Sequence, residues 1–306
     1  MTGRPLVLEP FGVKVKAGSV LDGLEVVVWD GAGRPPTDVL DQVELYVMPY
    51  LFEPLTAEVI KQMPRVRVVQ TLTAGVEHVL PFVGSGVTLC NARGVHDAST
   101  AELAVTLALA ALRGLPDFVR AQGRGEWAHE QRQSLADKTV LIVGYGSIGT
   151  AVESRLRPFE CDVLRVARRA RDGVAAFSRL PELAGQADVV VLTVPLTNQT
   201  RGLVDAAFLA RLRDGALLVN VSRGPVIDTG ALIDELVSGR LMAALDVTDP
   251  EPPPPDHPLW SAPNLLLTPH VGGNTSAFRP RAERLVISQL DRFAHGEPLV
   301  NVVVSG

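Results

Sequence analysis

The chain has 306 residues, which is enough for two domains of about 150 residues each and for a sizeable hydrophobic core. Hydrophobic residues make up 46% and charged residues 21%, so the composition is that of a globular protein and excludes disordered and fibrous classes. The net charge of −5 disfavours binding to nucleic acid, and the two distant cysteines, Cys90 and Cys161, disfavour a disulfide framework or a cysteine zinc site.

No segment has the pattern of a targeting or membrane-spanning element. Residues 1–10 contain one arginine and a three-residue apolar run, which is not typical of a signal peptide. The longest apolar stretch, Leu103–Leu112, has about ten residues, whereas a spanning helix needs roughly 20. We therefore expect a buried helix there and a cytoplasmic protein with no membrane partner and no metal site.

The first ninety residues predict strands that alternate with helical segments. Short β-rich runs occur at Leu6–Leu8, Leu24–Trp29, Val43–Met48, Val66–Thr71 and Val87–Cys90. Between the third and fourth runs, Thr56–Met63 has helical spacing and begins with a threonine that can cap a helix. This alternation predicts a parallel sheet.

A long helix and a second series of strands follow. Asp97–Arg113 is rich in alanine and leucine and predicts one buried helix, and helical segments such as Ala206–Arg213 and Ala231–Val237 separate later strands. The strand candidates are Thr139–Val143, Val163–Ala167, Val189–Val194, Ala216–Val221, Met242–Val247 and Leu265–Thr268. Six strands with crossovers are what a doubly wound dinucleotide-binding domain requires. The chain then predicts a helix, Arg281–His295, and a last strand, Leu299–Val303.

A glycine motif lies directly after the strand at Thr139–Val143. Gly144, Gly146 and Gly149 form a GxGxxG that is followed by a helical segment. The first glycine permits a tight turn, the second lets a pyrophosphate approach the backbone, and the third lets helix pack on strand. The helix N-terminus then offers its N–H groups to the phosphates. The motif predicts a dinucleotide site that includes Tyr145, Ser147 and Ile148.

The end of the next strand indicates which dinucleotide is preferred. An NAD site usually has Asp or Glu about 20 residues after the glycines, where it binds the ribose 2′-hydroxyl. Here Ala167 stands at that place and is followed by Arg168, Arg169 and Arg171. Guanidinium groups can bind a 2′-phosphate, so the sequence favours NADP(H) over NAD(H), which remains possible. A solvated basic turn is the alternative interpretation.

Three polar residues follow strand ends, where an α/β sheet places its ligands. Arg223 follows Ala216–Val221, Glu251 follows Met242–Val247, and His270 follows Leu265–Thr268. An arginine can bind a carboxylate, a histidine can exchange a proton near neutral pH, and a carboxylate beside the histidine favours the imidazolium. The trio suits hydride transfer at a 2-keto or 2-hydroxy acid.

Each member of the trio also has a simpler interpretation. His270 could be a packed histidine and Arg223 a surface arginine, and Asp249 is a rival for Glu251. His96, before the long helix, could line a cleft. Tyr50 and Leu51, after the third strand, are weaker candidates for shaping the substrate.

These blocks together resemble the D-isomer-specific 2-hydroxyacid dehydrogenase family over nearly the whole chain. The matching segments are Leu72–Glu77, Asn91–Gly94, the GxGxxG, Val194–Leu196, Asn220–Gly224, Leu245–Pro252 and Thr268–Gly273. The resemblance implies that Arg223, Glu251 and His270 are catalytic, since the family spacing after Asp246 selects Glu251. It also implies that Asp246 contacts the nicotinamide and that the backbone of Ala74, Gly75 and Val76 receives the substrate carboxylate together with Arg223 and His270. Further coenzyme contacts are expected from Val194, Pro195, Val221, Ser222 and Gly272.

The resemblance implies an α/β fold of two doubly wound parallel-sheet domains, with a Rossmann coenzyme domain inserted into a flavodoxin-like substrate domain. The substrate domain would comprise residues 1–96 and 280–306, and the coenzyme domain residues 97–279, with the active cleft between them. Relatives are usually homodimers joined through the coenzyme domain, and we expect the same here.

The expected reaction is NADPH-dependent reduction of a small 2-keto acid, of the glyoxylate or hydroxypyruvate type, to its D-2-hydroxy acid. The alternative function is a nucleotide-sensing interaction protein, like the transcriptional corepressors that share this fold. Such proteins can retain the same trio, so turnover of keto acids is the observation that separates the two functions.

Overall fold

The computed structural model describes residues 4–13, 23–33, 35–50 and 54–306, and these form two compact units. Unit 1 contains the described residues up to His96 together with Ser276–Gly306, and unit 2 is Asp97–Thr275. The boundary expected after His96 falls at the same place. The second boundary lies four residues before the expected position, because the C-terminal helix begins at Phe278 rather than at Arg281.

Unit 1 contains a sheet whose described strands follow the flavodoxin-like order. The strands are β1 (Leu6–Glu9), β2 (Glu25–Val28), β3 (Val43–Val47), β4 (Val68–Gln70), β5 (Thr88–Cys90) and β13 (Val302–Val304). Their spatial order is β13-β5-β4-β3-β1-β2, and the first five strands along the chain pair in parallel. The last strand, β13, pairs antiparallel with β5. The sequence predicted a sheet that is parallel throughout, and this last strand departs from that prediction.

Both faces of this sheet are covered, which explains why its strands are almost continuously apolar. On one face Tyr46 is fully buried, and its hydroxyl donates to the carbonyl oxygen of Thr56 at 3.0 Å. The segment after β3 is helix α1 (Pro54–Glu58) and then a 3-10 turn, Val59–Gln62, where one helix at Thr56–Met63 was predicted. On the other face, helix α8 (Phe278–His295) buries Ala282, Val286 and Leu290.

Unit 2 contains a parallel sheet with the Rossmann strand order. Its strands are β6 (Thr139–Val143), β7 (Asp162–Ala167), β8 (Ala175–Ala176), β9 (Val189–Leu192), β10 (Leu217–Asn220), β11 (Met242–Leu245) and β12 (Leu265–Leu267). The order is β12-β11-β10-β9-β6-β7-β8, the doubly wound pattern 3-2-1-4-5-6 with one further strand at the end. All six predicted strands are present, and the two-residue β8 was not predicted.

Helices cover unit 2 on both faces of the sheet. They are α2 (Asp97–Leu112), α3 (Leu115–Gly123), α4 (Ser147–Leu156), α5 (Leu180–Ala184), α6 (Ala206–Leu209) and α7 (Thr229–Val237). The predicted long helix is confirmed as α2, whereas α3 was not predicted. It follows Gly114, whose φ of +63° is a left-handed conformation that suits glycine.

Within the described residues, no single helix is long and apolar enough to cross a membrane. The bent pair α2 and α3, with an angle of 64° between them, meets the length and composition criteria only when both helices are taken together.

Candidate active site

The glycine motif forms the turn between β6 and α4, and its three glycines have different surroundings. A Cβ atom on Gly144, where φ is +103°, would lie 2.7 Å from the carbonyl carbon of Thr193, and one on Gly149 would lie 2.6 Å from the Gly144 oxygen. Gly146 has no heavy atom within 4 Å of the corresponding place. The chain itself therefore needs the outer glycines, while the middle glycine opens onto space beside the first turn of α4. That geometry fits the pyrophosphate of a dinucleotide.

This turn is held by hydrogen bonds with the ends of β7 and β9, the two strands that flank β6. The backbone N–H groups of Gly144 and Tyr145 donate to the Val166 carbonyl oxygen at 2.8 and 3.0 Å. The hydroxyl of Thr193, after β9, donates to the Gly144 oxygen at 2.7 Å. Sequence reasoning missed Thr193, although a threonine directly after an apolar strand was a visible signal.

The end of β7 presents positive charge and no acidic side chain at the ribose position. Ala167 is buried there, and the next two residues, Arg168 and Arg169, are exposed. The Arg171 guanidinium donates to the carbonyl oxygen of Tyr145, in the glycine turn. The structure thus brings one of the three predicted arginines against the phosphate-binding turn.

Arg223 lies in the turn after β10, and a buried amide fixes that turn. The Asn220 side chain is fully buried, and its Nδ2 donates to the Arg223 carbonyl oxygen at 3.0 Å. Its Oδ1 accepts two hydrogen bonds from Ser222, one from the N–H at 2.9 Å and one from the hydroxyl at 2.6 Å. A Cβ on Gly224 would lie only 1.8 Å from the carbonyl oxygen of Thr248. Glycine at 224 therefore lets the turn that carries Arg223 pack directly on the loop that leads to Glu251.

Glu251 and His270 are in direct contact. The Glu251 Oε1 atom lies 2.6 Å from Nδ1 of His270. Glu251 and its rival Asp249 are both exposed, so this contact, and not burial, distinguishes Glu251. Burial raises the pKa of the Glu251 carboxyl, but the hydrogen bond and charge of His270, the Thr248 backbone and the charge of Arg223 together bring that pKa below its ordinary value. An ionised carboxylate only accepts hydrogen bonds, so Nδ1 carries the proton and Nε2 is the nitrogen left to exchange one with a ligand.

Asp246 fixes the loop that carries His270. Its buried carboxylate accepts from the Thr268 hydroxyl at 2.6 Å and from the N–H groups of Val271 and Gly272, both at 2.9 Å. Its carbonyl oxygen accepts from the His270 N–H at 2.8 Å, and His270 itself has a φ of +52°. These bonds hold an otherwise unfavourable backbone conformation at His270. The contact between Asp246 and the nicotinamide stays a prediction.

The other predicted coenzyme residues of unit 2 also lie at strand ends. Val194 is buried, and its Cγ1 lies 2.8 Å from the place of a Cβ on Gly144. Pro195 is exposed, and its carbonyl oxygen accepts from the Thr200 hydroxyl at 2.6 Å. Val221 and Ser222 are buried directly after β10. Their contacts with a coenzyme stay predictions.

The predicted substrate loop lies in unit 1, after β4. Asn91 Nδ2 donates to the carbonyl oxygen of Ala74 at 2.8 Å, the Thr73 hydroxyl donates to that of Gly75 at 2.7 Å, and Val79 N–H donates to that of Val76 at 2.9 Å. Three consecutive carbonyl groups are thus engaged within unit 1. The role of this loop toward a substrate carboxylate stays a prediction.

The two remaining candidates in unit 1 lie in one aromatic cluster. The ring of His96 stacks on those of Tyr50 and Phe278, each with a centroid distance of 5.4 Å, and its Nε2 lies 2.7 Å from the Leu72 carbonyl oxygen. His96 is only 6% exposed. This packing favours a structural histidine over one that lines a cleft. Leu51 lies outside the described residues.

The described residues contain no group of three or more His, Cys, Asp and Glu side chains that could hold a metal ion. The chemistry this site offers is that of an arginine and a carboxylate–histidine pair at the carboxyl edge of a sheet whose glycine turn fits a dinucleotide.

The sequence is similar to that of a known family and of characterised proteins. The family described as "D-isomer specific 2-hydroxyacid dehydrogenase, NAD binding domain" matches residues 105–272. The chain is 34% identical over 247 residues to the human glyoxylate reductase/hydroxypyruvate reductase. That alignment covers 76% of this chain and 75% of the human protein.

Two solved structures share the architecture over almost the entire chain. A D-isomer specific 2-hydroxyacid dehydrogenase family protein from Aeromonas salmonicida aligns with a TM-score of 0.87 and 29% identity, covering 98% of this chain and 99% of the other. The NADPH-dependent glyoxylate/hydroxypyruvate reductase from Sinorhizobium meliloti, solved in complex with NADP and malonate, aligns with a TM-score of 0.78 and 27% identity, covering 98% and 97%.

Proposed function

The chain belongs to the D-isomer specific 2-hydroxyacid dehydrogenase family, and from this we propose that it reduces a small 2-keto acid of the glyoxylate or hydroxypyruvate type to the D-2-hydroxy acid, with NADPH as the hydride donor. Membership of the family makes the chain an NAD(P)-dependent oxidoreductase. The observation that carries the proposal is the 2.6 Å contact between Glu251 and His270, with Arg223 on the adjoining turn.

Three side chains perform the chemistry in this proposal. The Arg223 guanidinium binds the substrate carboxylate and polarises the adjacent carbonyl. His270 donates the proton on Nε2 to the carbonyl oxygen as it becomes an alkoxide, while Glu251 holds Nδ1 and stabilises the charged ring. Bound NADPH supplies the hydride to the carbonyl carbon. Asp246 and Asn220 keep the two loops in place through the hydrogen bonds described above.

The experiment that tests the proposal is a steady-state assay of a panel of 2-keto acids with NADPH and with NADH. We expect turnover with glyoxylate or hydroxypyruvate and formation of the D-hydroxy acid. The names of the human and Sinorhizobium meliloti relatives support this choice of substrates. Coenzyme binding without turnover of any keto acid would contradict the proposal and favour the nucleotide-sensing alternative.

Replacing Glu251 with glutamine should move the pH profile of keto-acid reduction to lower pH. Reduction requires protonated His270, and the ionised Glu251 carboxylate favours that state. Glutamine is uncharged and no longer favours the charged ring, so the alkaline limb of the plot of kcat against pH should move to lower pH. The measurement is kcat with saturating keto acid from pH 5 to 10, in roughly half-unit steps.

Asp249→Asn is the matched control, because it removes the same charge two residues away from an exposed carboxylate. Its profile should follow that of the wild type. An unchanged profile for Glu251→Gln, or an equal displacement for Asp249→Asn, would show that Glu251 is not the partner of His270.

We propose a preference for NADPH over NADH because of the charges at the end of β7. The ribose position is held by Ala167, and Arg168, Arg169 and Arg171 follow it. A charged hydrogen bond to a phosphate is worth about 1.5–3 kcal/mol before solvent screening. One good arginine contact then gives roughly 10- to 100-fold preference, since about 1.4 kcal/mol is tenfold.

Arg168→Ala should raise the KM for NADPH markedly and leave the KM for NADH nearly unchanged, because NADH has no 2′-phosphate. Arg211→Ala, at another exposed arginine of unit 2, serves as the control and should change neither constant. Comparable losses for both coenzymes in Arg168→Ala would indicate a structural role. A wild-type preference for NADH would refute the coenzyme proposal and leave the family reaction intact.

We propose that the protein is a homodimer joined through unit 2. The segment that begins at α3 carries large apolar side chains in water: Leu115 is 50%, Val119 66% and Trp127 95% exposed. Leu115 and Val119 are four residues apart on α3 and share one face of it, and exposed apolar side chains grouped in this way are typical of interaction sites. A second copy of the chain would cover it.

Trp127→Glu should weaken or abolish the dimer, because burying an unpaired charge at the contact is unfavourable. Light scattering on a size-exclusion column, over a range of protein concentrations, measures the mass. The control is Val237→Glu at the end of α7, where the valine is 66% exposed. A monomeric wild type, or a Trp127→Glu dimer as tight as the wild type, would contradict the proposal.

A further inference from the structure

Tyr145, the second residue of the glycine turn, is anchored to an ion pair whose carboxylate is buried. Its hydroxyl donates to a carboxylate oxygen of Glu153, on α4. Glu153 is only 4% exposed and also accepts two hydrogen bonds from the guanidinium of Arg165, on β7, the one from Nε being 2.7 Å long. These bonds hold the pKa of Glu153 at about 2, with the Arg165 hydrogen bond as the largest cause, so the carboxylate is ionised at physiological pH. The position of the Tyr145 ring is thereby fixed from within unit 2.

The same tyrosine holds Arg171 in two ways. The Arg171 guanidinium donates through Nη2 to the Tyr145 carbonyl oxygen, and its central carbon lies 5.5 Å from the centroid of the Tyr145 ring. That distance is within the range of a cation–π contact. A guanidinium group has five N–H donors, so this arrangement leaves donors for a ligand.

The location of this assembly matches the adenosine end of a bound dinucleotide. The Tyr145 N–H donates to the Val166 carbonyl oxygen at 3.0 Å, which places the turn beside the end of β7. In a Rossmann domain the ribose hydroxyls next to the adenine are recognised at that strand end. Arg171 is therefore held on the side where NADPH differs from NADH.

We propose that Tyr145 is a positioning residue for coenzyme choice, which holds Arg171 in the orientation that binds the 2′-phosphate. This inference rests on the proposed preference for NADPH and identifies the residue that orients the phosphate-binding arginine. An arginine that is already oriented loses less side-chain freedom when it binds, so more of its interaction with the phosphate appears as affinity. All three arginines are exposed and contribute charge, and the two contacts with Tyr145 give Arg171 a defined orientation as well.

The test uses adenosine 2′,5′-bisphosphate and AMP, which differ only in the 2′-phosphate, and measures their Kd by calorimetry without any turnover. Arg171→Ala should raise the Kd of the bisphosphate about 10- to 100-fold and leave that of AMP unchanged. Tyr145→Leu should raise the bisphosphate Kd about three- to tenfold, again with AMP unchanged. Tyr145→Phe keeps the ring and should retain most of the discrimination. In an Arg171→Ala background, Tyr145→Leu should add nothing, because the two residues act as one unit.

Equal losses for both nucleotides in Tyr145→Leu would show that the ring only maintains the glycine turn, and would overturn the inference. Full additivity of Tyr145→Leu and Arg171→Ala would also overturn it. An unchanged Kd for AMP shows that the glycine turn of a variant is intact. Equal binding of the two nucleotides by the wild-type protein would instead refute the NADPH preference itself, so the two failures are distinguishable.

Discussion

Replacing His270 with alanine should lower kcat for keto-acid reduction about 10²- to 10⁴-fold, the usual size of a general acid–base contribution. The His270 ring is oriented by its 2.6 Å contact with Glu251, and its backbone is held by Asp246. Alanine removes the group that gives a proton to the forming alkoxide in the proposed reaction. The affinity for coenzyme should change little, because the glycine turn lies elsewhere on the sheet.

Two measurements make this expectation specific. The kcat of His270→Ala is compared with that of His295→Ala, which removes an exposed histidine of α8 and should retain native activity. The Kd for NADPH is determined for both variants by its fluorescence. Near-native turnover in His270→Ala with the preferred substrate would exclude His270 as the proton donor.

Replacing Gly224 with alanine should lower kcat/KM about 10²-fold or more, without changing any charged or polar side chain. A Cβ at this position would lie 1.8 Å from the Thr248 oxygen and 2.1 Å from its carbonyl carbon, so the two backbones must separate by about 1 Å. One backbone carries Arg223 and the other leads to Glu251. Misplacement of catalytic groups by about 1 Å can cost 10²-fold in rate.

Gly230→Ala is the matched control for this substitution. Gly230 lies in α7, and the nearest atom to its Cβ would be Asp228 Oδ1 at 3.5 Å, an ordinary van der Waals distance. Alanine favours helix over glycine, so this variant should be fully active and at least as stable to heat as the wild type. Native kcat/KM in Gly224→Ala would show that the two loops can separate without affecting the reaction.

Much of the fold could be predicted from the sequence because its strands are buried on both faces. Runs such as Thr139–Val143 are continuously apolar and bounded by turn residues, and that strand has the predicted bounds. Strands that lead into the site are shorter than predicted. The prediction for β9 continued to Val194, but the strand ends at Leu192, although the Thr193 N–H still donates to the Val143 carbonyl oxygen of β6 at 2.9 Å.

For other elements, a single sequence contains no pattern that predicts their presence or direction. The two residues of β8 form no apolar run, and the antiparallel direction of β13 depends on its partner, β5. Helix α3 was not predicted, although it has Pro116 near its start and proline is favoured in the first turn of a helix.

The sequence indicated which side chains form the candidate site, but not which residues hold those side chains in place. The pairing of Glu251, rather than Asp249, with His270 was inferred from family spacing and agrees with the contact in the structure. Asn220 and Thr193 have no chemistry of their own in the proposed reaction, and the partners of their hydrogen bonds lie on turns that only the folded structure brings next to them. The anchoring of Tyr145 by Glu153 likewise joins residues of three separate elements.

The insertion of unit 2 into unit 1 sets an order for folding during synthesis. Residues 97–275 are complete before the last segment leaves the ribosome, so the coenzyme-binding unit can fold first. The core of unit 1 must wait, because Ala282, Val286 and Leu290 of α8 fill one face of its sheet, and Gln289 donates to the Gln70 amide oxygen at 2.6 Å. Until α8 has been synthesised, the apolar face of the unit 1 sheet that α8 covers has no such cover.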